Sequence, residues 1–459
     1  MPKLPVLRKN SIITVDIEDI TDLGFGVAKY SGLVVFVQDT VPGDSAEVKV
    51  IKVNSSYAIA RLEKLLLPSA QRTYDRCTEA KCRACAYKAI SYEHEATLKE
   101  EGVRRLFTPL SIKTLPILKS VSQARYRNKA QYPITLVGTE YQIGYFAPKT
   151  HRVCPITDCV LTPAIFSKII DKCKEYFTKH KISVYDEESG KGLLRHVYLR
   201  RGELSGEVLF TLVINGDTIP NAADLIDGLK SVCPEIVGIL LNVNKDNTNV
   251  ILGDKFVTLY GRDYIYDTLC GVKLKISAPA FYQVNHDTAE LLYREAMRLA
   301  DPKCTDTLLD LYCGAGSIGL SMAHSVHELI GIEIIESAVL CARENAKNNG
   351  ITNAHFFTGD AKSTEALLKN AERELGKKIE PDVIILDPPR AGLDPELISF
   401  ASSLSPRKIV YISCNPKTLA RDVKAFAELG YTANEVLPVD MFPGTGHVES
   451  LVCLRRQTN

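Results

Sequence analysis

Residues 307–333, TLLDLYCGAGSIGLSMAHSVHELIGIE, decide the fold. An apolar run closes on Asp310 and passes into a turn at Gly314 and Gly316. A short amphipathic stretch follows, and a second apolar run ends on Glu333. The pattern predicts strand, nucleotide loop, helix, strand. Glycines at such a turn let a ligand approach the backbone, the next helix opens with unpaired N–H groups, and an acid about twenty residues on takes ribose hydroxyls. An ordinary βαβ turn also carries glycines; the acid on Glu333 and the motifs downstream favour a ligand site.

Working outward, TLLDL, ELIGIE, HFFTG, VIILD, KIVYI, EVLPV and SLVCL alternate with helical stretches, which predicts a doubly wound α/β sheet. Ligands of such sheets lie beyond the carboxyl ends of the parallel strands, and Asp310, Glu333, Asp360 and Asp387 each stand at one. Upstream, FYQVNHDTAELLYREAMRL at 281–299 predicts a helix with Asp287 and Glu290 as a capping box and Ala289, Leu292, Ala296 and Leu299 on one face. Gln283 precedes it in a loop, where its amide can reach a ligand at the glycine turn.

Two motifs carry the chemistry. In IILDPPRAGL, Pro388 and Pro389 fix an extended turn without N–H donors, which presents Asp387 to a flat ring. In YISCNP, Cys414 falls just past a strand, at the ligand edge. The segment MFPGTGHVE joins EVLPVD to SLVCLRR, so SLVCL must run antiparallel to its partner. If it lies beside KIVYI, Glu449 stands opposite Cys414, and a nucleophile meets a carboxylate base from a separate segment.

The front of the chain differs in character. Residues 11–66 alternate with period two, with Ala46, Val48 and Val50 on one face, and predict an OB-like barrel of five short strands. Cys77, Cys82 and Cys85 follow with spacing C-x4-C-x2-C, which points to a metal or iron–sulfur site completed by Cys154 or Cys159. Residues 99–152 hold ten Lys or Arg against three Glu, a local basic patch for a polyanion. Within it Arg125, Arg127 and Lys129 are interleaved with Tyr126, Tyr132, Tyr141 and Tyr145. Rings stack on bases while cations meet phosphates, although local sequence alone favours a sheet with tyrosines in its core.

Composition sets bounds. The 459 residues are 45% apolar with a net charge of +1, enough for two or three domains with real cores. No run suits a membrane span and the start lacks a leader-like apolar stretch, so a soluble, cytoplasmic chain without membrane partners is expected. Thirteen cysteines then call for burial, metal or catalysis rather than disulfides.

Together the cysteine cluster, YRNKAQYPI, TNVILG, FYQVN, DLYCGAGSIGL, LDPPRAGL, SCNP and the closing GHVE resemble the S-adenosylmethionine-dependent RNA uracil-5-methyltransferases, most closely the bacterial 23S rRNA enzymes. The resemblance implies a TRAM barrel at 1–66, a central β-rich domain at 67–280 carrying an iron–sulfur site, and a Rossmann-like SAM methyltransferase domain at 281–459. It implies Cys414 as nucleophile and Glu449 as base. Gln283, Tyr312, Ser317, Glu333, Asp360 and Asp387 would surround cofactor or uracil beside Gly314 and Gly316, and a [4Fe-4S] cluster would sit on Cys77, Cys82, Cys85 and Cys159. The implied partner is RNA, with 23S rRNA in a loop or bulge as substrate of a monomer. Two departures stand out: the family's C-x5-C and CGGC are here C-x4-C and CRAC, and Ser317 replaces Asn or Thr. The competing readings are methylation of a tRNA uridine, of cytosine or of an exocyclic amine, and a non-enzymatic RNA-binding protein with a redox cluster.

Overall fold

The computed structural model describes residues 7–74, 77, 79, 82–148, 150–359 and 364–457. Alternation in the first of these segments builds a six-stranded sheet in the order Ile12–Asp16, Ser45–Val53, Tyr57–Leu67, Leu33–Gln38, Gly26–Tyr30, Asp19–Ile20. Five strands were expected; the sixth is the two-residue Asp19–Ile20, too short for an alternation pattern to reveal. Val15, Val35, Val37, Ala46, Val48 and Val50 point inward and form its core.

The middle of the chain forms a seven-stranded sheet from Val153–Pro155 to Lys255–Gly261, antiparallel except where Val208–Ile214 pairs with Ile236–Val243. Helix Ala164–His180 packs Phe166, Ile169, Ile170 and Phe177 into the core of this unit. Tyr132 and Tyr141 belong to the same core, which confirms the core reading for these rings.

The glycine-turn region opens the third sheet, ordered Ala354–Thr358, Glu328–Glu333, Thr307–Leu311, Val383–Leu386, Lys408–Ser413, Glu449–Arg456, Glu435–Val439, Lys113–Thr114. The first five strands are parallel, and Glu449–Arg456 runs antiparallel between Lys408–Ser413 and Glu435–Val439. The sequence expectation for this hairpin is met. Two apolar cores, one on each face, bury the sheet.

Both ends of the stretch 67–280 reach this third sheet, the second of them while also packing on Tyr198, Leu209 and Leu240 of the middle one. Lys113–Thr114 is its edge strand, helix Tyr92–Phe107 lays Val103 and Phe107 into its core, and the hairpin Tyr264–Leu269 with Val272–Ser277 packs Ile265 and Leu274 beside Leu308. Helix His286–Ala300 forms as predicted, but its cap is Asn285, whose side chain accepts from Thr288 N–H. Glu290 instead accepts from Cys270 N–H at 2.8 Å, so the capping box at Asp287 and Glu290 is replaced by a tie to the preceding hairpin.

Helix Tyr92–Phe107 also supplies Lys99, whose side chain is 1% exposed. Its ammonium donates to Glu95 Oε1 at 2.8 Å, Asp440 Oδ1 at 2.7 Å and the Phe442 carbonyl at 3.2 Å, and Glu95 accepts in turn from Gly444 N–H at 2.7 Å. Removing one partner from a buried ion group leaves uncompensated charge and costs about 3–5 kcal/mol. Lys99→Met is therefore expected to lower the unfolding free energy by about that amount, read as a shift of the urea midpoint.

Candidate active site

The carboxyl edge of the third sheet opens into a cavity of about 1140 Å³. At its cofactor end the backbone leaves strand Thr307–Leu311 through Tyr312 at φ 68°, Gly314 at 55° and Gly316 at 82°. Left-handed backbone of this kind suits glycine and strains tyrosine. At Gly316 a Cβ would also press on Leu320, Ala342 and Phe356 at 3.1–3.2 Å. Glu333 braces the loop, accepting from Gly314 N–H at 3.1 Å and Ile335 N–H at 2.9 Å. Beneath it Asp310 is buried, accepts from Gly319 N–H at 3.0 Å, and is pushed up to about 8 by burial. Ser317 contacts the Tyr293 hydroxyl at 3.1 Å, and Gln283 is buried at the cavity wall. Asp360 lies outside the described residues.

The other end holds the candidate nucleophile and base. Ser413 is registered against Ser450, so the next residues, Cys414 and Glu449, face each other across the antiparallel pair. Burial, Glu449 and Asp387 push the Cys414 thiol up, opposed by Arg390. Glu449 is 5% exposed and pushed up to about 8 by burial and then by Asp387, again with Arg390 in opposition. Asp387, on the cavity wall, is raised to about 7 by burial.

Cys77, Cys82, Cys85 and Cys159 all line this same cavity. Glu79 ties their loops together by accepting from Thr157 N–H at 2.8 Å, and Lys88 donates to the Glu79 and Cys82 carbonyls at 3.2 and 3.1 Å. Cys154 is buried in strand Val153–Pro155 and stands off the cavity lining. Among the described residues no group of three or more His, Cys, Asp or Glu is gathered closely enough for a single metal ion. Four thiolates are a donor set that fits an iron–sulfur cluster as well as a structural zinc.

The basic patch is largely neutralised. Lys99, Arg104, Arg105, Lys113, Lys119 and Arg125 form ion pairs with Asp440, Glu100, Asp19, Glu435, Glu93 and Asp158. Arg125 also donates to the Cys159 and Thr162 carbonyls at 2.9 and 3.0 Å, so it clamps the cysteine loop. Arg127 and Lys129 do face the cavity, and Lys129 is lowered to about 8 by burial and by Arg200 and Arg127. Sequence reasoning passed over three cavity residues that lay inside quoted motifs: Phe281, Arg390 and His447. Phe281 is 65% exposed at the cavity, a free ring where a base can stack.

The sequence profile of the family described as tRNA (Uracil-5-)-methyltransferase matches residues 91–457, and that of the TRAM domain matches residues 7–62. The chain belongs to the RNA uracil-5-methyltransferase family. It is 37% identical over 457 residues to an uncharacterized RNA methyltransferase of Bacillus cereus, covering 98% of both chains. A namesake in Listeria innocua is 36% identical over 98% of each. Among solved structures, the Pyrococcus abyssi tRNA (uracil-54, C5)-methyltransferase in complex with S-adenosyl-L-homocysteine superposes with a TM-score of 0.77 at 26% identity, covering 96% of this chain and 100% of that one. Members of the family use S-adenosylmethionine to methylate RNA uracil, and the front barrel is a TRAM domain. No described helix is long and apolar enough to cross a membrane.

Hydrogen bonds to charged groups contribute about 1.5–3 kcal/mol each. Glu333→Ala is expected to weaken S-adenosylhomocysteine binding at least about tenfold by calorimetry while leaving RNA affinity unchanged.

Proposed function

We propose that this chain transfers a methyl group from S-adenosylmethionine to carbon 5 of a uridine in 23S rRNA through a covalent Cys414–uracil intermediate. The observation that carries the reading is the placement of Cys414 and Glu449 opposite one another at the cavity. Carbon 5 of uracil is a poor nucleophile. The Cys414 thiolate adds to carbon 6, and the ring becomes an enolate whose carbon 5 attacks the sulfonium methyl. Glu449 then takes the carbon-5 proton, the carbon 6–sulfur bond breaks, and the thiolate is regenerated. Gln283 and Asp387 face the space where the flat ring must lie, and Tyr312, Gly314, Gly316, Ser317 and Glu333 surround the cofactor end.

The uracil has to leave its stack to enter this cavity, which favours a loop or bulge. Arg127 and Lys129 at the wall would meet its flanking phosphates, and the exposed Phe281 ring would take a base. Preference for 23S rRNA rests on the motif resemblance. A tRNA uridine is the second reading, favoured by the likeness to the tRNA enzyme of Pyrococcus abyssi. Labelled cofactor incubated with unmodified total RNA, followed by mapping of the label, separates the two.

Cys414→Ala is expected to form no covalent complex with RNA containing 5-fluorouridine, and Glu449→Gln to accumulate the protein–RNA adduct on denaturing gels. Turnover by Cys414→Ala would instead indicate transfer to an amine. Burial holds the Glu449 proton up to about pH 8, so the base is ionised only as pH rises through that value. Adduct resolution in the unaltered protein should accordingly climb with pH and level off above about 8.

Cys77, Cys82, Cys85 and Cys159 would hold a [4Fe-4S] cluster, whose contribution is to cross-link two loops at the RNA side of the cavity. Anaerobically prepared protein is expected to contain iron and acid-labile sulfide in near-equal amounts; zinc without sulfide would remove the cluster.

A further inference from the structure

Burial and two neighbouring carboxyl groups oppose the charge that the Cys414 thiol must carry. Glu449 and Asp387 are acids, and burial itself disfavours an anion. The exception is Arg390, whose positive charge favours the thiolate and whose side chain lines the same cavity as Cys414. It follows the Pro388-Pro389 turn, lines the cavity, and makes no ion pair with a carboxylate among the pairs formed by the described residues. Its Nη2 lies 3.4 Å from both ring nitrogens of His447. Its backbone carbonyl accepts from Asn415 Nδ2 at 3.0 Å, which ties the turn to the residue after the thiol.

His447 sits on the loop that leads into Glu449, and that loop is fastened from several directions. Asn285 Nδ2 donates to the Met441 carbonyl at 3.0 Å, the Tyr126 hydroxyl donates to the Pro443 carbonyl at 2.9 Å, and Lys99 holds the Phe442 carbonyl. Burial, Arg390 and Lys99 favour the neutral form of His447, with Asp22 opposing and Arg127 adding to them. A neutral ring leaves the guanidinium beside it as the positive charge that acts on the sulfur.

We propose that Arg390, set in place by His447, is a catalytic residue of the thiol-addition step, pairing with the Cys414 sulfur as its proton departs. This rests on the covalent reading given above. The S–H proton passes to water at the cavity mouth. The sulfur lone pair then forms the bond to carbon 6, and the carbon 5–carbon 6 π pair moves onto the carbon-4 oxygen as the enolate. Glu449 is left free for the later carbon-5 proton. His447 acts through Arg390 and is a positioning residue.

The test alkylates the full-length protein with iodoacetamide across pH, without RNA or cofactor, and follows the Cys414 peptide by mass spectrometry. Arg390→Met is expected to move the alkylation midpoint upward by about one pH unit or more, about a tenfold slower reaction at fixed pH. Arg390→Lys should restore part of the shift, and His447→Ala should move it by less than Arg390→Met does. RNA binding by the same variants is measured in parallel. An unchanged alkylation profile in Arg390→Met overturns the proposal, and weakened RNA binding with that unchanged profile would make Arg390 a phosphate contact. Failure of the covalent reading shows separately, as absence of a 5-fluorouridine adduct in the unaltered protein even where the alkylation shift is present.

Discussion

The buried ammonium of Lys99 is the constraint on which the arrangement of the site depends. A charge taken out of water persists only when its partners are fixed around it. Here those partners come from its own helix, from Asp440 at the end of a sheet strand, and from the carbonyl of Phe442. Satisfying the ammonium therefore fixes where the segment 440–444 runs, and Glu449 follows five residues later on the strand beside Cys414. The barrel reaches the same loop: a Cβ at Gly446 would stand 2.2 Å from the Asp22 carbonyl, so only glycine permits this approach. Barrel, helix and sheet meet at the segment that leads into Glu449.

The cavity itself is electrostatically uneven. Asp310, Asp387 and Glu449 are all raised toward neutrality by burial, which makes the floor of the site a store of protons at neutral pH. Between about pH 4 and 8 the folded chain keeps protons on these acids that the unfolded chain has lost, so stability falls as pH rises through that window. The site is built for chemistry at the expense of stability. Arg390, Arg127 and Lys129 supply positive charge at the wall, and the acids lie beneath.

The seven strands of the third sheet from Thr307 onward that the sequence shows are legible because each is an apolar run ended by an acid or a turn, and the hairpin register follows from the loop MFPGTGHVE. Placing Glu449 opposite Cys414 needed no more than that register. Helix Tyr92–Phe107 and strand Lys113–Thr114 join the third sheet, which the sequence conceals because a strand of two residues has no period and the helix's partners lie more than 300 residues away. Lys99 and its basic neighbours looked like a patch for polyanions; their counter-charges, Asp440, Glu435 and Asp158 among them, are distant in sequence and invisible to a local count. Arg390 and His447 were quoted inside motifs yet passed over, since only the fold brings them together.

The sheet order also dictates a sequence of assembly. Strand Glu449–Arg456 is made after all its neighbours, yet it lies between Lys408–Ser413 and Glu435–Val439, with Lys113–Thr114 waiting beyond. Without Glu449–Arg456 in place, the edge of Lys408–Ser413 has no partner and the outer strands have no sheet to join. An open edge of buried, apolar backbone is an invitation to mispairing. The strand that closes the sheet is also the one that carries Glu449 to the cavity, so closing the sheet and setting that carboxylate opposite Cys414 are one event.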